Sequence, residues 1–222
     1  MAITLDDAIT QVRYILNETS PTFWTDAELT DYIQEGTRQF ASKTLMVEDT
    51  QTISPLIANQ LSYSSADEEW IANMIEPYAA IYNDASNGYK GLIKMHPRQI
   101  GNLATFTSGA PKYYCLHDRS IYIWPLTTST LVSAGATVKF LFAKATEDIT
   151  DITDEYQHLP LLWAAARAKQ KDQKFAEANS LLAQFYNEIN FERNDKHARE
   201  VDSLEAFKIP KSGGEVGARR NQ

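Results

Sequence analysis

The hydrophobic period of this chain changes twice, and no other sequence feature constrains its fold as much. Near both ends, apolar residues recur every three or four positions, which is the spacing of amphipathic helices. Between about residues 45 and 147 that spacing gives way to short β-branched and aromatic runs separated by turn signals. We therefore expect an α+β protein in which terminal helices pack into one bundle around an inserted, mostly antiparallel β domain.

Two helix starts are recognisable near the N-terminus. Thr4 precedes an apolar-periodic segment with Asp7 in its first turn, where a carboxylate interacts favourably with the helix dipole. Thr25 and Glu28 have the spacing of a capping box. Because a residue before proline avoids the helical region, the first helix should end before Pro21. The pattern predicts a helical hairpin.

The middle of the chain contains the signals of β-hairpins. The Asn87-Gly pair indicates a tight turn. Residues 112–116 and 121–125 read as two strands joined by a short turn, and 137–142 as a further strand. A short helix with proline at its first position is predicted over 97–103.

The last third returns to a helical pattern. Pro160 suits the first position of a helix over 161–171. A second, longer helix follows, with an apolar stripe that begins at Phe175. This stripe should pack against the first two helices. The residues expected in that contact are Leu182, Phe185 and Ile189 on one side and Val12, Ile15, Ile33 or Phe40 on the other.

These patterns divide the chain into four parts. We expect a helical hairpin over 1–44, a β-rich insert over 45–147, a second helical hairpin over 148–200 and a flexible C-terminal arm over 201–222. The arm is predicted because helical periodicity ends before it and glycines loosen its second half.

Charge and cysteine usage exclude several classes of protein. The 21 Lys and Arg residues against 29 Asp and Glu give a net charge of −8, which argues against a whole-surface grip on duplex DNA. A single cysteine, Cys115, excludes an intramolecular disulfide and a multi-cysteine zinc site. No secretory signal pattern and no run of about 20 apolar residues is present. We expect a soluble protein with no membrane segment.

The side chains that could carry chemistry do not form a known catalytic pattern. The four histidines, His96, His117, His158 and His197, lack the spacing of metal ligands. The acidic connector, defined as Asp148, Asp151, Asp154 and Glu155, superficially resembles a calcium loop. It lacks the central glycine and the final bidentate glutamate, so helix capping is the simpler role. We predict no catalytic residue, cofactor or metal, and a buried, inert Cys115.

Aromatic residues of the predicted hairpin leave two interpretations open. Tyr113, Tyr114, Tyr122 and Trp124 favour a core or a subunit contact, because cross-strand aromatic pairs are common in hairpins. The same side chains could stack on sugars or bases, as in a carbohydrate- or receptor-binding module. A small metal-dependent hydrolase or nuclease using the acidic connector is a third possibility.

The order of the segments resembles the head-to-tail adaptor (connector) proteins of tailed bacteriophages, of the kind related to tail tubular protein A. The resemblance covers about residues 4–190, and its most specific motif is the Trp-Thr-Asp-Ala-Glu-Leu segment at 24–29. The other residues that carry it are 5–17, 32–33, 35, 40–41, 109–113, 121–125, 159–168, 176–179 and 185–186.

The resemblance implies a structural virion protein located at the head–tail junction. Such adaptors form a ring, usually a dodecamer, beneath the portal protein. The ring extends the DNA channel, with DNA only in transit, and offers a platform to the next tail component, a nozzle or tail-completion protein. We expect the chain to be monomeric alone and to form the ring on the portal, where effective concentration strengthens weak lateral contacts.

The arm is the predicted portal-docking segment. It offers apolar anchors followed by two arginines that could pair with acids of a partner. The residues predicted to bind the portal are Leu204, Phe207, Ile209, Pro210, Arg219 and Arg220.

Overall fold

A computed structural model confirms the α+β fold. It describes residues 3–18, 23–84, 88–96, 98–99 and 108–206, and for residues 192–206 the backbone alone. The helices are α1 (Leu5–Leu16), α2 (Asp26–Thr44), α3 (Ser129–Ser133), α4 (His158–Lys171) and α5 (Phe175–Ala206). The strands are β1 (Glu48–Ile53), β2 (Ser62–Tyr63), β3 (Met74–Asp84), β4 (Gly88–Gly91), β5 (Ile93–Lys94), β6 (Tyr113–His117), β7 (Ser120–Trp124) and β8 (Thr137–Lys144).

Both predicted N-terminal helix starts are confirmed. The hydroxyl of Thr4 accepts the backbone N–H of Asp7 at 3.2 Å, and the Asp7 carboxylate accepts the backbone N–H of Thr4 at 3.3 Å. Thr25 and Glu28 exchange the same two hydrogen bonds at 3.2 and 3.1 Å. Each capping box satisfies N–H groups that have no partner within the helix.

The four long helices bury a common core whose residues come from both ends of the chain. Phe185 and Ile189 of α5 are buried in one cluster with Phe40 of α2, which confirms that part of the predicted contact. Val12 and Ile33 belong to a neighbouring cluster, built mainly by α1, α2 and α4. At three positions the observed burial differs from the prediction. Leu182 is only partly buried, and Ile15 and Phe175 are exposed because they lie at the margins of their helix stripes.

The α2–α4 contact is close and depends on one glycine. A Cβ on Gly36 would lie 2.7 Å from the carbonyl oxygen of Pro160 and 3.0 Å from the Cβ of Trp163. Pro160 is the third residue of α4, since the helix begins at His158, so the predicted first position was wrong by two residues. Proline fits there because N–H groups of the first helical turn need no intrahelical acceptor.

The β unit consists of two four-stranded sheets with strand orders β1-β8-β3-β4 and β2-β7-β6-β5. All pairs are antiparallel except β5–β6. The predicted hairpin is confirmed as β6 and β7, joined by a two-residue turn at Asp118 and Arg119, both with positive φ. The inner faces of the two sheets share one apolar core, with Phe140 and Phe142 of β8 fully buried.

Helix α3 was not predicted, because five residues are too few for a helical period to be recognised; its start is capped by Thr128. Most of the helix predicted over 97–103 lies outside the described residues. At the other end of the chain, α5 continues to Ala206, six residues past the predicted boundary at 200. Within the described residues, no helix has both the length and the apolar character required to cross a membrane.

Candidate assembly surfaces

Only one of the six predicted portal-binding residues lies within the described chain. Leu204 is part of the backbone of α5, in the stretch where side chains are not described. The other five, Phe207, Ile209, Pro210, Arg219 and Arg220, lie outside the described residues.

The segment that carries the most specific resemblance has a structural role in the α1–α2 turn. Arg13 is buried, and its guanidinium donates to Glu18 and Asp26, each at 2.6 Å, and to the carbonyl of Trp24 at 2.9 Å. The indole N–H of Trp24 donates to the carbonyl of Ala168 in α4 at 3.2 Å. One cation therefore ties α1 to the start of α2, and the tryptophan ties both to α4.

A second set of contacts joins the same turn to the end of α4. Lys171 donates to the carboxylate of Glu28 at 2.6 Å, and its Nζ lies 5.0 Å from the centroid of the half-exposed Phe23 ring. The hydrogen bond from Lys171, with those from Thr25, lowers the pKa of Glu28 below its ordinary value. The Phe-Trp-Thr-Asp-Ala-Glu-Leu segment thus fastens the N-terminal hairpin to α4.

The acidic connector performs capping and pairing. Asp148 accepts the backbone N–H of Thr150 at 2.9 Å at the start of a short 3-10 helix. Asp151 accepts from Lys144 at 2.8 Å and from Thr146 at 2.5 Å. Burial raises the pKa of Asp151, but these two donors outweigh it, so the net pKa is lowered. No three His, Cys, Asp or Glu side chains among the described residues are grouped so that they could hold a metal ion.

The hairpin aromatics belong largely to the core. Tyr114 and Trp124 are buried, whereas Tyr113 and Tyr122 are half-buried, and the rings of Tyr113 and Trp124 lie 6.1 Å apart. None of the four rings is fully exposed, so their burial favours a core role over ligand stacking. Cys115, which follows Tyr114 on β6, is also buried as predicted, and burial raises the pKa of its thiol to about 11.

A groove of about 360 Å³ lies where the start of α4 meets α5. His158 is hydrogen-bonded to Glu188 at 2.7 Å across this junction, and both side chains are about half exposed. Phe191, which is 71% exposed, lines the groove beyond them. The His158–Glu188 contact shows that the first residue of α4 lies beside residue 188 of α5.

Exposed apolar side chains occur on both the bundle and the β unit, and sequence reasoning missed most of them. On the bundle they include Tyr14, which is 87% exposed. On the β unit they include Tyr89 at 79%, with Ile81 and Leu141 on the outer face of the β1-β8-β3-β4 sheet. A groove of about 220 Å³ on that face is lined by Thr50, Ala79, Ile81, Lys139 and Leu141. One signal in the sequence of β8 could have indicated this exposed apolar face. Phe140 and Phe142 face the core, so Leu141 between them must face outward although it is apolar.

The polar side chains singled out above cap helices or form ion pairs, and large apolar side chains are exposed on two separate regions. These exposed apolar side chains are candidate contact residues for other chains. The SU10 adaptor protein family matches residues 3–203, so the chain belongs to this structural family of phage head–tail adaptors. A comparison with curated proteins yields no match.

Proposed function

We propose that this chain forms a ring at the portal vertex of a virion, between the portal protein and the next tail component, and extends the channel through which DNA passes. Its membership of a phage adaptor family supports the general role. The dodecameric state follows from the resemblance to tail tubular protein A-like adaptors. The nozzle or tail-completion protein is the partner proposed on the tail side.

The length of α5 is the observation that carries this proposal. Its 32 residues span about 48 Å, whereas the 14 residues of α4 span about 21 Å. Because His158 lies beside Glu188, the 18 residues from 189 to 206 extend roughly 27 Å past the start of α4. A helix that extends this far beyond its neighbour can present the C-terminal arm to a second protein, away from the bundle core.

We infer that the C-terminal arm, residues 201–222, is the portal-docking element, with Leu204, Phe207, Ile209 and Pro210 as apolar anchors. Arg219 and Arg220 would pair with portal acids. The net charge of −8 suits a channel that must let DNA pass without holding it, since phosphate binding requires clustered cations.

Assembly with purified portal rings tests the proposal. We expect native mass spectrometry to find a monomer when the chain is alone, and electron microscopy to find a ring of this chain on the portal when the two are mixed. Failure to bind the portal would overturn the adaptor role. A stable ring at low concentration without portal would overturn the template-dependent part of the proposal.

Truncation tests the docking element separately. Deleting residues 207–222 leaves α5 whole, so thermal stability should stay near that of the full chain while portal binding is lost. The matched control is Tyr14→Ser, which removes the most exposed large apolar side chain of the bundle and should leave portal binding unchanged. Normal portal binding by the truncated chain would eliminate residues 207–222 as the docking element.

A further inference from the structure

The β1-β8-β3-β4 sheet has an unpaired outer side at both of its terminal strands, within the part of the chain that the structure describes. We propose that these two edges pair head to tail between neighbouring copies of this chain, with β4 of one copy beside β1 of the next. The inference rests on the proposed function, because it names the lateral contact of the ring. The partner it assigns is a second copy of the same chain.

The outward backbone groups of β1 follow from its register with β8. Lys144 donates its backbone N–H to the carbonyl of Val47 at 2.8 Å. Since hydrogen-bonded pairs alternate along antiparallel strands, Asp49 bonds to β8, and the backbone groups of Thr50 and Thr52 point to the open edge. The Asp49 carboxylate accepts the N–H of Thr50 at 2.6 Å, as expected for an N–H that β8 does not use.

The same alternation of hydrogen-bonded pairs identifies the backbone groups of β4 that point to the open edge. Leu92 donates its backbone N–H to the carbonyl of Ala80 at 2.8 Å, which puts Lys90 in register to bond to β3. Tyr89 and Gly91 therefore direct their N–H and C=O groups outward. No atom of the described residues lies within 4 Å of the position that a Cβ on Gly91 would occupy. The outer face of the sheet is therefore open at Gly91, and a side chain can be introduced there without a clash.

Strand direction selects head-to-tail pairing. In this sheet β1 and β3 run one way, and β8 and β4 run the other. When two copies have the same orientation, β4 of one is antiparallel to β1 of the next, so the contact can repeat by rotation and close a ring. Pairing β1 with β1, or β4 with β4, in the antiparallel sense requires a two-fold axis and ends at a dimer.

Charge and shape at the two edges are complementary. The β4 edge carries Lys90, whereas Glu48 and Asp49 are at the start of β1. On pairing, the Thr50 N–H would exchange the Asp49 carboxylate for a carbonyl of the neighbour, which frees that carboxylate for Lys90. Tyr89 lies on the same outer face as Thr50, so its exposed ring would cover the neighbour's threonines and continue the apolar face of Ile81 and Leu141.

Disulfide trapping on the assembled ring tests this contact. Outward residues of the two edges would form hydrogen-bonded pairs with Cα atoms about 5.5 Å apart, which is within disulfide range. We expect Thr50→Cys combined with Gly91→Cys or, in the alternative register, with Tyr89→Cys, to give a ladder of covalent oligomers on a non-reducing gel. Each variant with only one added cysteine should give no species larger than a dimer. Because all of these variants keep the buried Cys115, they also report its contribution to cross-linking.

The outcomes separate this inference from the proposed function. A ring on the portal with no ladder from either cysteine pair overturns edge pairing and leaves the adaptor role intact. No ring and no portal binding by the unmodified chain overturns both.

Two substitutions supply an independent measurement that needs no cross-link. Lys90→Glu should lower ring occupancy on the portal at least tenfold, and the added Asp49→Lys should restore it, whereas Lys43→Glu on α2 should have no effect. Gly91→Pro removes an outward N–H without removing a bond to β3 and should also lower occupancy. If Gly91→Pro fails to fold, the charge-reversal variants and the disulfide ladder still test the edge pairing. Unchanged ring occupancy with Lys90→Glu would count against that pairing.

Discussion

The helical bundle and the β unit are stabilised by different parts of the chain. In the bundle, polar contacts join residues that are far apart in sequence: Trp24 bonds to Ala168, and Lys171 to Glu28. In the β unit every strand pair lies within residues 48–144. The bundle can therefore close only when both chain ends are present, whereas the β unit has all of its strands in one continuous segment.

Several polar contacts join the two regions. Tyr78 of β3 donates its hydroxyl to the carbonyl of Leu45, the residue that follows α2, at 2.5 Å. Arg38 and Glu147 form an exposed ion pair at 2.8 Å across the same junction. Lys144, at the end of β8, also pairs with Asp151 of the acidic connector at 2.8 Å. Because the buried apolar residues of the β unit and of the bundle form separate clusters, we expect the two regions to respond separately to mutation, and each prediction below tests that difference.

The largest effect should come from the bundle core. Phe185→Ala removes a fully buried ring and should cost about 3–5 kcal/mol of unfolding free energy. Hydrogen exchange should show lost protection in α2, α4 and α5 while β3 and β8 keep theirs. The reciprocal variant, Phe140→Ala in the β unit, should reverse the pattern. Equal loss in both regions from either variant would mean that bundle and β unit unfold as one unit.

The buried Arg13–Glu18 ion pair of the bundle should contribute more to the free energy of unfolding than the exposed Arg38–Glu147 pair at the junction. Arg13→Met leaves the mostly buried carboxylate of Glu18 without its cation and should cost about 3 kcal/mol. Arg38→Met breaks the Arg38–Glu147 pair, whose partners are each about half exposed, and should cost at most about 1 kcal/mol. Chemical denaturation of both variants measures this ratio, and similar losses would contradict it.

Disturbing the close packing of α2 on α4 should have a smaller effect on stability. Gly36→Ala places a methyl group against the backbone of α4 and should cost about 1–2 kcal/mol, even though alanine favours helix formation. The control is Gly109→Ala in the β unit, where the added Cβ meets no described atom within 4 Å; it should shift stability by less than about 0.5 kcal/mol. A stabilised Gly36→Ala variant would show that α2 and α4 can separate at little cost.

The smallest effect is pH-dependent and concerns the connector. The folded-state pKa of Asp151 lies below its ordinary value of 3.8, so the stabilisation from its ionised form is complete above that pH and is lost as the pH falls through the folded value. Asp151→Asn should cost about 1 kcal/mol between about pH 5 and 8, and the difference in Tm from the unmodified chain should shrink below about pH 4. Asp118→Asn, in the β6–β7 turn, is the control for replacing an exposed carboxylate by an amide elsewhere in the chain.

Local features were predictable from sequence where the determinant is local. The capping boxes at Thr4 and Thr25 need only residues three positions apart, and the β6–β7 hairpin needs only alternation around a short turn. Positions that depend on a partner were less predictable. Phe175 and Ile15 fit their helix stripes but are exposed, because the width of a stripe that is buried is set by the helices packed against it.

The candidate surfaces divide in the same way. The apolar anchors of the C-terminal segment could be chosen by residue type, and their role stays a prediction. The outward groups of Thr50 and Gly91 could not be found, because the open side of a strand is defined only when its register with the neighbouring strand is known.

The sequence by itself determined the α+β class, the helix starts, the hairpin and the resemblance to phage adaptors, since each depends on spacing along the chain. Tertiary structure decided that α2 meets α4 at Gly36, that Trp24 bonds to Ala168 and that β1 and β4 form the sheet edges. These facts join residues up to 144 positions apart. No local pattern encodes such contacts, because they arise only when distant apolar faces are buried together.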